Sequence, residues 1–256
     1  MNKLESIAKI RNKLLLRGFS IGSWIQIPHA SVAEVMGQSG YDWVAVDLEH
    51  GSISTDQLPD LFRALELGDT LPLARLAEGT SKDCKQALDA GAAGVIVPMI
   101  ESSEHLLRIR DACRWPPAGN RGVGFSRANL FGRNFDKYSS EAQAPILVAM
   151  IERHRALKNL DKILKVDGLD AILIGPYDFS ASMGLTAMFD HPDFIASIAK
   201  IRELCHQNLV PCGMHIVDPS PRDLRAGIDG GYQFIAYSID SVFLNKGCIN
   251  PAIGPS

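Results

Sequence analysis

Short, apolar, β-branched runs bounded by turn residues recur along the chain, at Ser20–Ile27, Trp43–Asp47, Leu71–Arg75, Gly94–Pro98, Ile146–Glu152, Ala171–Gly175, Val210–His215 and Phe234–Ser238. Between them lie stretches whose apolar positions return at helical spacing, such as Thr80–Ala90 with Cys84, Ala87 and Leu88, and Pro192–Gln207 with Ile195, Ile198, Ile201 and Leu204. Strand then helix, eight times over, predicts a parallel sheet. Because the strand runs are nearly continuous rather than alternating, both of their faces need cover, which a (β/α)8 barrel ringed by helices provides; a doubly wound open sheet is the alternative. Glycines in Asp89-Ala90-Gly91-Ala92, Asp167-Gly168 and Gly227-Ile228-Asp229-Gly230-Gly231 stand where a helix should stop before the next strand. Residues 1–17 add an N-terminal helix, with Leu4, Ile7, Ile10 and Leu14 on one face, packed on the body of the protein or, alternatively, lying on a membrane surface.

Nothing resembling a linker divides the chain, so residues 1–256 are expected to form a single barrel domain. The longest departure from the repeat, residues 114–144, holds Trp115-Pro116-Pro117, Arg121-Gly122-Val123-Gly124 and several aromatics. Long loops in compact barrels usually carry function, which places this insertion near the active site, as a substrate entrance that reaches a neighbouring subunit. The Arg121–Gly124 segment lacks the fuller fingerprint of a nucleotide-phosphate cradle.

Composition narrows the class. With 26 Lys and Arg against 29 Asp and Glu, the net charge of −3 excludes a nucleic-acid-binding field, and the longest apolar stretches, such as Ala93 to Ile100, are far short of the roughly 20 residues that span a bilayer. The five cysteines form no Cys-x-x-Cys pair, which argues against a disulfide framework or thiolate zinc and fits the reducing cytoplasm.

In a barrel of this kind chemistry sits at the C-terminal ends of the strands. Those ends carry Asp47-Leu48-Glu49-His50, Arg75, Glu152, Gly175-Pro176-Tyr177-Asp178, His215 and Asp240. Glu152 and Asp178 close neighbouring strands, and like charges brought together repel unless a cation lies between them. Two carboxylates with water suit Mg²⁺ or Mn²⁺, and less exclusively Co²⁺. Read alone, Asp178 also suits a helix cap, His50 either a general base or a structural residue, and Glu49 either an outer partner of the cation's water or a rim salt bridge.

The motifs Asp47-Leu48-Glu49-His50, Pro72-Leu73-Ala74-Arg75, Val97-Pro98-Met99, Trp115-Pro116-Pro117 with Arg121-Gly122-Val123-Gly124, Ile151-Glu152 and Ile174-Gly175-Pro176-Tyr177-Asp178-Phe179-Ser180, in this order over about residues 18–244, resemble the HpcH/HpaI aldolases, metal-dependent 2-keto-3-deoxy acid aldolases. The resemblance implies a class II pyruvate aldolase, assembled as a trimer or hexamer with sites near subunit contacts, that cleaves a keto acid to pyruvate and an aldehyde. It implies that Glu152 and Asp178 hold the metal, Arg75 stabilises the enolate oxygen, His50 supported by Asp89 moves the proton, and the amides of Tyr177 and Asp178 bind the pyruvate carboxylate. Asp47 and Glu49 stand behind them. An enolate needs a Lewis acid or a Schiff base, and no lysine here ends a strand, which leaves the metal.

Met150, where many relatives have glutamine, and Arg153-His154, where a small hydroxyl residue is usual, put the aldehyde partner in question. The sequence also runs only 12 residues past Leu244, short of the C-terminal helix by which relatives reach a neighbour. Two rival functions stand beside the aldolase: condensation or lysis of an acyl thioester, citrate-synthase-like, on the same barrel, and a catalytically silent binding subunit. His105 and His206 fall inside helical stretches and read as surface residues.

Overall fold

Among the described residues, 1–250 and 252 of this computed structural model, the strands β1 (Ser20–Ile25), β2 (Trp43–Asp47), β3 (Leu71–Arg75), β4 (Gly94–Val97), β5 (Ile146–Ile151), β6 (Ala171–Ile174), β7 (Cys212–Ile216) and β8 (Phe234–Ile239) pair in sequence order, and β8 returns to β1 to close a parallel barrel. Each strand lies within two residues of its expected ends. Residues 251 and 253–256 of the expected domain lie outside the described residues. The helices are α1 (Lys3–Leu15), α2 (Ala30–Gly37), α3 (Leu58–Leu67), α4 (Ser81–Ala90), α5 (Ser103–Cys113), α6 (Phe135–Glu141), α7 (Leu160–Leu164), α8 (Pro176–Ser182), α9 (Pro192–Gln207), α10 (Pro221–Asp229) and α11 (Asp240–Gly247). The open-sheet alternative is thereby set aside.

Side chains alternate across a strand. Trp43, Ala45, Leu71, Leu73, Ile96, Ile146, Val148, Met150, Leu173, Phe234 and Ala236 pack together inside the barrel, while Val44, Val46, Ala74, Val95, Leu147, Ala149, Ile172 and Ile174 meet the helices. The lowest inner layer is aromatic. Trp43 stacks on Phe234 with centroids 4.4 Å apart, and the Trp43 ring lies where any side chain at Gly22 would project. Trp43→Ala should lower unfolding free energy by about 3–5 kcal/mol in a denaturant titration, because no neighbour is placed to fill the void.

Below that layer α1 closes the barrel. Ile7, Ile10 and Leu14 join the inner core, whereas Leu4 stays largely exposed. Polar ties hold the helix there: Arg11 bonds Asp170 at 2.6 and 3.0 Å, Lys13 bonds Asp42 at 2.5 Å, and Lys3 meets the Gly91 carbonyl at 2.5 Å and Glu66 at 3.0 Å. The apolar face is thus spent on the barrel rather than on a membrane, and no helix among the described residues is long and apolar enough to cross one.

Within one chain the insertion lies at the lower end of the barrel, away from that chain's own upper rim. It leaves the end of α5 and enters the start of β5, so it belongs to the lower face, with the helix-to-strand turns. Its contacts agree: Arg127 bonds Glu66 at the end of α3 and the Ala90 carbonyl, and Tyr138 Oη donates to the Leu88 carbonyl. Only a connection that follows a strand reaches the upper rim, and this one follows a helix.

Candidate active site

Period two along the strands decides which rim residues face inward. Counting up from the inner core residues Trp43, Leu71 and Ile146 in steps of two reaches Asp47, Arg75 and Glu152, and the same parity on β7 turns His215 inward. These side chains meet in a cavity of about 230 Å³ at the upper mouth, lined also by Trp24, Gln26, His50, Met150, Gly175–Asp178, Val217 and Ile239.

Arg75 is the hub. Buried, it reaches Glu152 Oε1 at 3.1 Å, Glu49 through the same terminal nitrogen, and Asp47 at 3.6 Å, while its guanidinium carbon lies 5.5 Å from the centroid of the Trp24 ring. Asp47 shapes the turn above β2: Oδ1 accepts from the amides of Glu49 (3.0 Å) and His50 (3.1 Å), and Oδ2 accepts from Gln26 Nε2 at 3.0 Å. The turn lifts His50 into solvent, its side chain 56% exposed and its Nε2 3.9 Å from Glu49. Asp240 pins the facing end of β1 by accepting from the amides of Gln26 (2.9 Å) and Ile27 (3.0 Å).

Glu152 is fully buried, and its Oε2 accepts from the Met99 amide at 2.8 Å. Burial raises its carboxyl above the usual carboxylate range; Arg75 and the Met99 amide pull it back, and the charge of Asp178 adds to the rise. Burial likewise raises Glu49 against the pull of Arg75. Asp178 enters from the first turn of α8, which starts directly above β6 at Gly175. A methyl group at Gly175 would come within 2.7 Å of Glu152 Cγ, so glycine is what lets this turn close down on the buried acid.

The two acids therefore share one cavity, and the charge of Asp178 makes that of Glu152 costlier. Among the described residues no three His, Cys, Asp or Glu side chains group as a metal site. The protein's share is an oxygen pair, the kind of set to which Mg²⁺ or Mn²⁺ adds water and substrate oxygens, and the residues fit such an ion.

Asp89 does not join them within the chain. It lies near the end of α4, on the lower face, half-buried, with its carboxyl raised by burial against the charges of Arg121 and Lys85. Met150 is a buried cavity wall, while Arg153 and His154 are exposed outside the cavity, where Arg153 pairs with Glu101 at 3.3 Å. His206 is exposed, and His105 is half-buried with its ring 3.4 Å from the Gly79 carbonyl. Gln26 and Trp24 were missed in the sequence; β1 was read as ending past them, and Trp24 sat inside an apolar run. The parity of that run was the signal that would have turned both inward.

A barrel with a buried arginine among acids at its C-terminal rim defines an enzyme site of the α/β-barrel class. The HpcH/HpaI aldolase/citrate lyase model matches residues 20–251, and the chain belongs to that family. It is 37% identical to the hydroxypyruvate/pyruvate aldolase of Roseobacter denitrificans over 230 residues, 88% of this chain and 89% of the relative. It is 35% identical to the 2-keto-3-deoxy-L-rhamnonate aldolase of Klebsiella pneumoniae over 91% of this chain and 87% of that one. Among solved structures, an HpcH/HpaI aldolase/citrate lyase family protein from Burkholderia cenocepacia superposes with a TM-score of 0.87 at 27% identity, covering 93% of this chain and 95% of that one.

Proposed function

We propose that this chain is a divalent-cation-dependent class II aldolase that reversibly cleaves a 2-keto-3-deoxy or 4-hydroxy-2-keto acid to pyruvate, or a close analogue, and an aldehyde. The observation that carries this is the meeting of Glu152, Asp178 and Arg75 on one cavity. Mg²⁺, Mn²⁺ or Co²⁺ held by Glu152 and Asp178 would supply Lewis acidity at the keto oxygen. Arg75 presents a fixed positive charge to the oxygen on which the enolate forms when the C3–C4 bond breaks. His50, open to the mouth, takes the proton of the C4 hydroxyl and returns it in the reverse direction. The first-turn amides of Tyr177 and Asp178, which no helical carbonyl can satisfy, face the substrate carboxylate. Asp47 and Glu49 hold Arg75 and His50 in place.

Asp89 reaches a His50 only on a second copy of the chain, which makes this enzyme a homo-oligomer, a trimer or hexamer. Supporting that reading, Val123, Phe125, Leu130 and Phe131 of the insertion are all exposed on the same lower face, an apolar patch that calls for cover. His50→Ala and Asp89→Ala should each be slow alone, and a mixture unfolded and refolded together should regain activity. No recovery would remove Asp89 from the site.

No feature of the site favours the acyl-thioester alternative, and the relatives at 37% and 35% identity are named aldolases. Against a silent subunit stands the intact set of Glu152, Asp178, Arg75 and His50. The chain's five cysteines are free thiols, four of them buried, as suits the reducing cytoplasm we propose for it. The test of the function is exchange of pyruvate methyl protons with D₂O: we expect exchange that depends on an added divalent cation. Its absence with Mg²⁺, Mn²⁺ and Co²⁺ alike overturns the aldolase reading.

A further inference from the structure

Arg121 is buried, and no acid is bonded to it. Of its three side-chain nitrogens only Nη2 has a partner, Tyr138 Oη at 2.7 Å; Nε and Nη1 have none among the described residues. The guanidinium carbon lies 5.7 Å from the centroid of the Trp115 ring and 5.6 Å from that of Tyr138. The backbone is pinned as well, the Arg121 amide donating to the Arg114 carbonyl at 2.8 Å. Two aromatic faces and one phenol offset only part of what it costs to take a guanidinium out of water, and an apolar side chain would fill this place at a lower cost in free energy.

The charge is directed at Asp89. Tyr138 Oη, which accepts from Arg121, donates to the carbonyl of Leu88, the residue before Asp89. Burial raises the Asp89 carboxyl, and of the cations near it Arg121 opposes this most strongly and Lys85 next. Asp89 also stands in the last turn of α4, where the helix dipole is negative and an acid is out of place. Lys85 is exposed, so its effect is screened by water and salt, whereas the buried guanidinium acts through a medium that screens little.

An acid that accepts a hydrogen bond from an imidazole, and steadies the imidazolium formed when that ring takes a proton, must itself be ionised and held in one orientation. We propose that Arg121 acts through Asp89 as a positioning residue, presenting the Asp89 carboxylate to the His50 of a second copy of the chain. The proposal rests on the aldolase reading and on the pairing of Asp89 with His50, and deepens both.

The test follows kcat and KM for the cation-dependent addition of pyruvate to acetaldehyde or glycolaldehyde, whichever the unaltered enzyme uses faster. Arg121→Met should lower kcat about tenfold with KM little changed, and Arg121→Lys, which keeps the charge, should restore most of it. In an Asp89→Asn background, where a structural role would still be felt, Arg121→Met should cost less than about twofold more. Tyr138→Phe, which removes the hydroxyl between Arg121 and Leu88, should cost about threefold alone and nothing after Asp89→Asn, and it carries the test if the methionine variant does not fold. Full kcat in Arg121→Met, or a loss as large without Asp89 as with it, overturns the role given to Arg121. Full kcat in Asp89→Asn removes the pairing with His50, and the role of Arg121 with it, while the aldolase stands. If the unaltered enzyme uses neither aldehyde and exchanges no pyruvate methyl protons with any of the three cations, the aldolase reading itself falls.

Discussion

Glu152→Gln is expected to slow cation-dependent cleavage by about a thousandfold, the several kcal/mol of transition-state charge stabilisation that a Lewis acid supplies. The side chain keeps its shape, and its amide oxygen can still accept from the Met99 amide, now 2.8 Å from Oε2. What it loses is the charge that, with Asp178, suits the cavity to a divalent ion. Because burial already disfavours that charge, its removal should leave unfolding free energy without added cation within about 1 kcal/mol of the unaltered chain; Arg75 retains Glu49 and Asp47 as partners. Thermal unfolding supplies an independent readout. The unaltered protein should melt at higher temperature as Mg²⁺ or Mn²⁺ is added, since a ligand that binds only the folded state stabilises it, and the variant should show no such rise. Full activity, or an undiminished rise in Tm, would place the ion elsewhere.

Arg75→Lys is expected to cost about a hundredfold or more in kcat, with a smaller change in KM. Loss of one preorganised donor to a developing oxyanion typically has this size. Lysine is a poor substitute because the guanidinium spans Asp47, Glu49 and Glu152 at once, and one ammonium cannot reach all three. At least one of the buried Asp47 and Glu152 or the half-buried Glu49 would then lose its cationic partner, so the variant should also unfold at lower denaturant concentration. A near-normal kcat would mean that the enolate oxygen is held by something other than Arg75.

The upper rim was legible because periodicity settles both which runs are strands and which way each residue faces. Asp47, Arg75 and Glu152 continue the inward series begun by Trp43, Leu71 and Ile146, so composition and parity together assemble the site. Which end of its own barrel the insertion occupies was also contained in the sequence. A segment between a helix and the following strand returns to the lower face whatever its length, and residues 114–144 follow α5. His215 was visible as a strand end. That its Nε2 would be left without a partner was not, because a missing hydrogen bond depends on what every neighbour does with its own donors and acceptors. Asp89 marks a different limit: its place on the lower face is a property of one chain, and the role proposed for it needs a second copy.

With α1 and the Trp43–Phe234 layer sealing the lower end, the barrel has a single doorway, and two reactants must use it in turn. With the keto acid held at Glu152, Asp178 and Arg75, as proposed above, it takes the inner berth, so it enters first and leaves last. Steady-state kinetics should accordingly show compulsory order, with the aldehyde released ahead of the keto acid on cleavage and excess aldehyde blocking the doorway to the keto acid in synthesis.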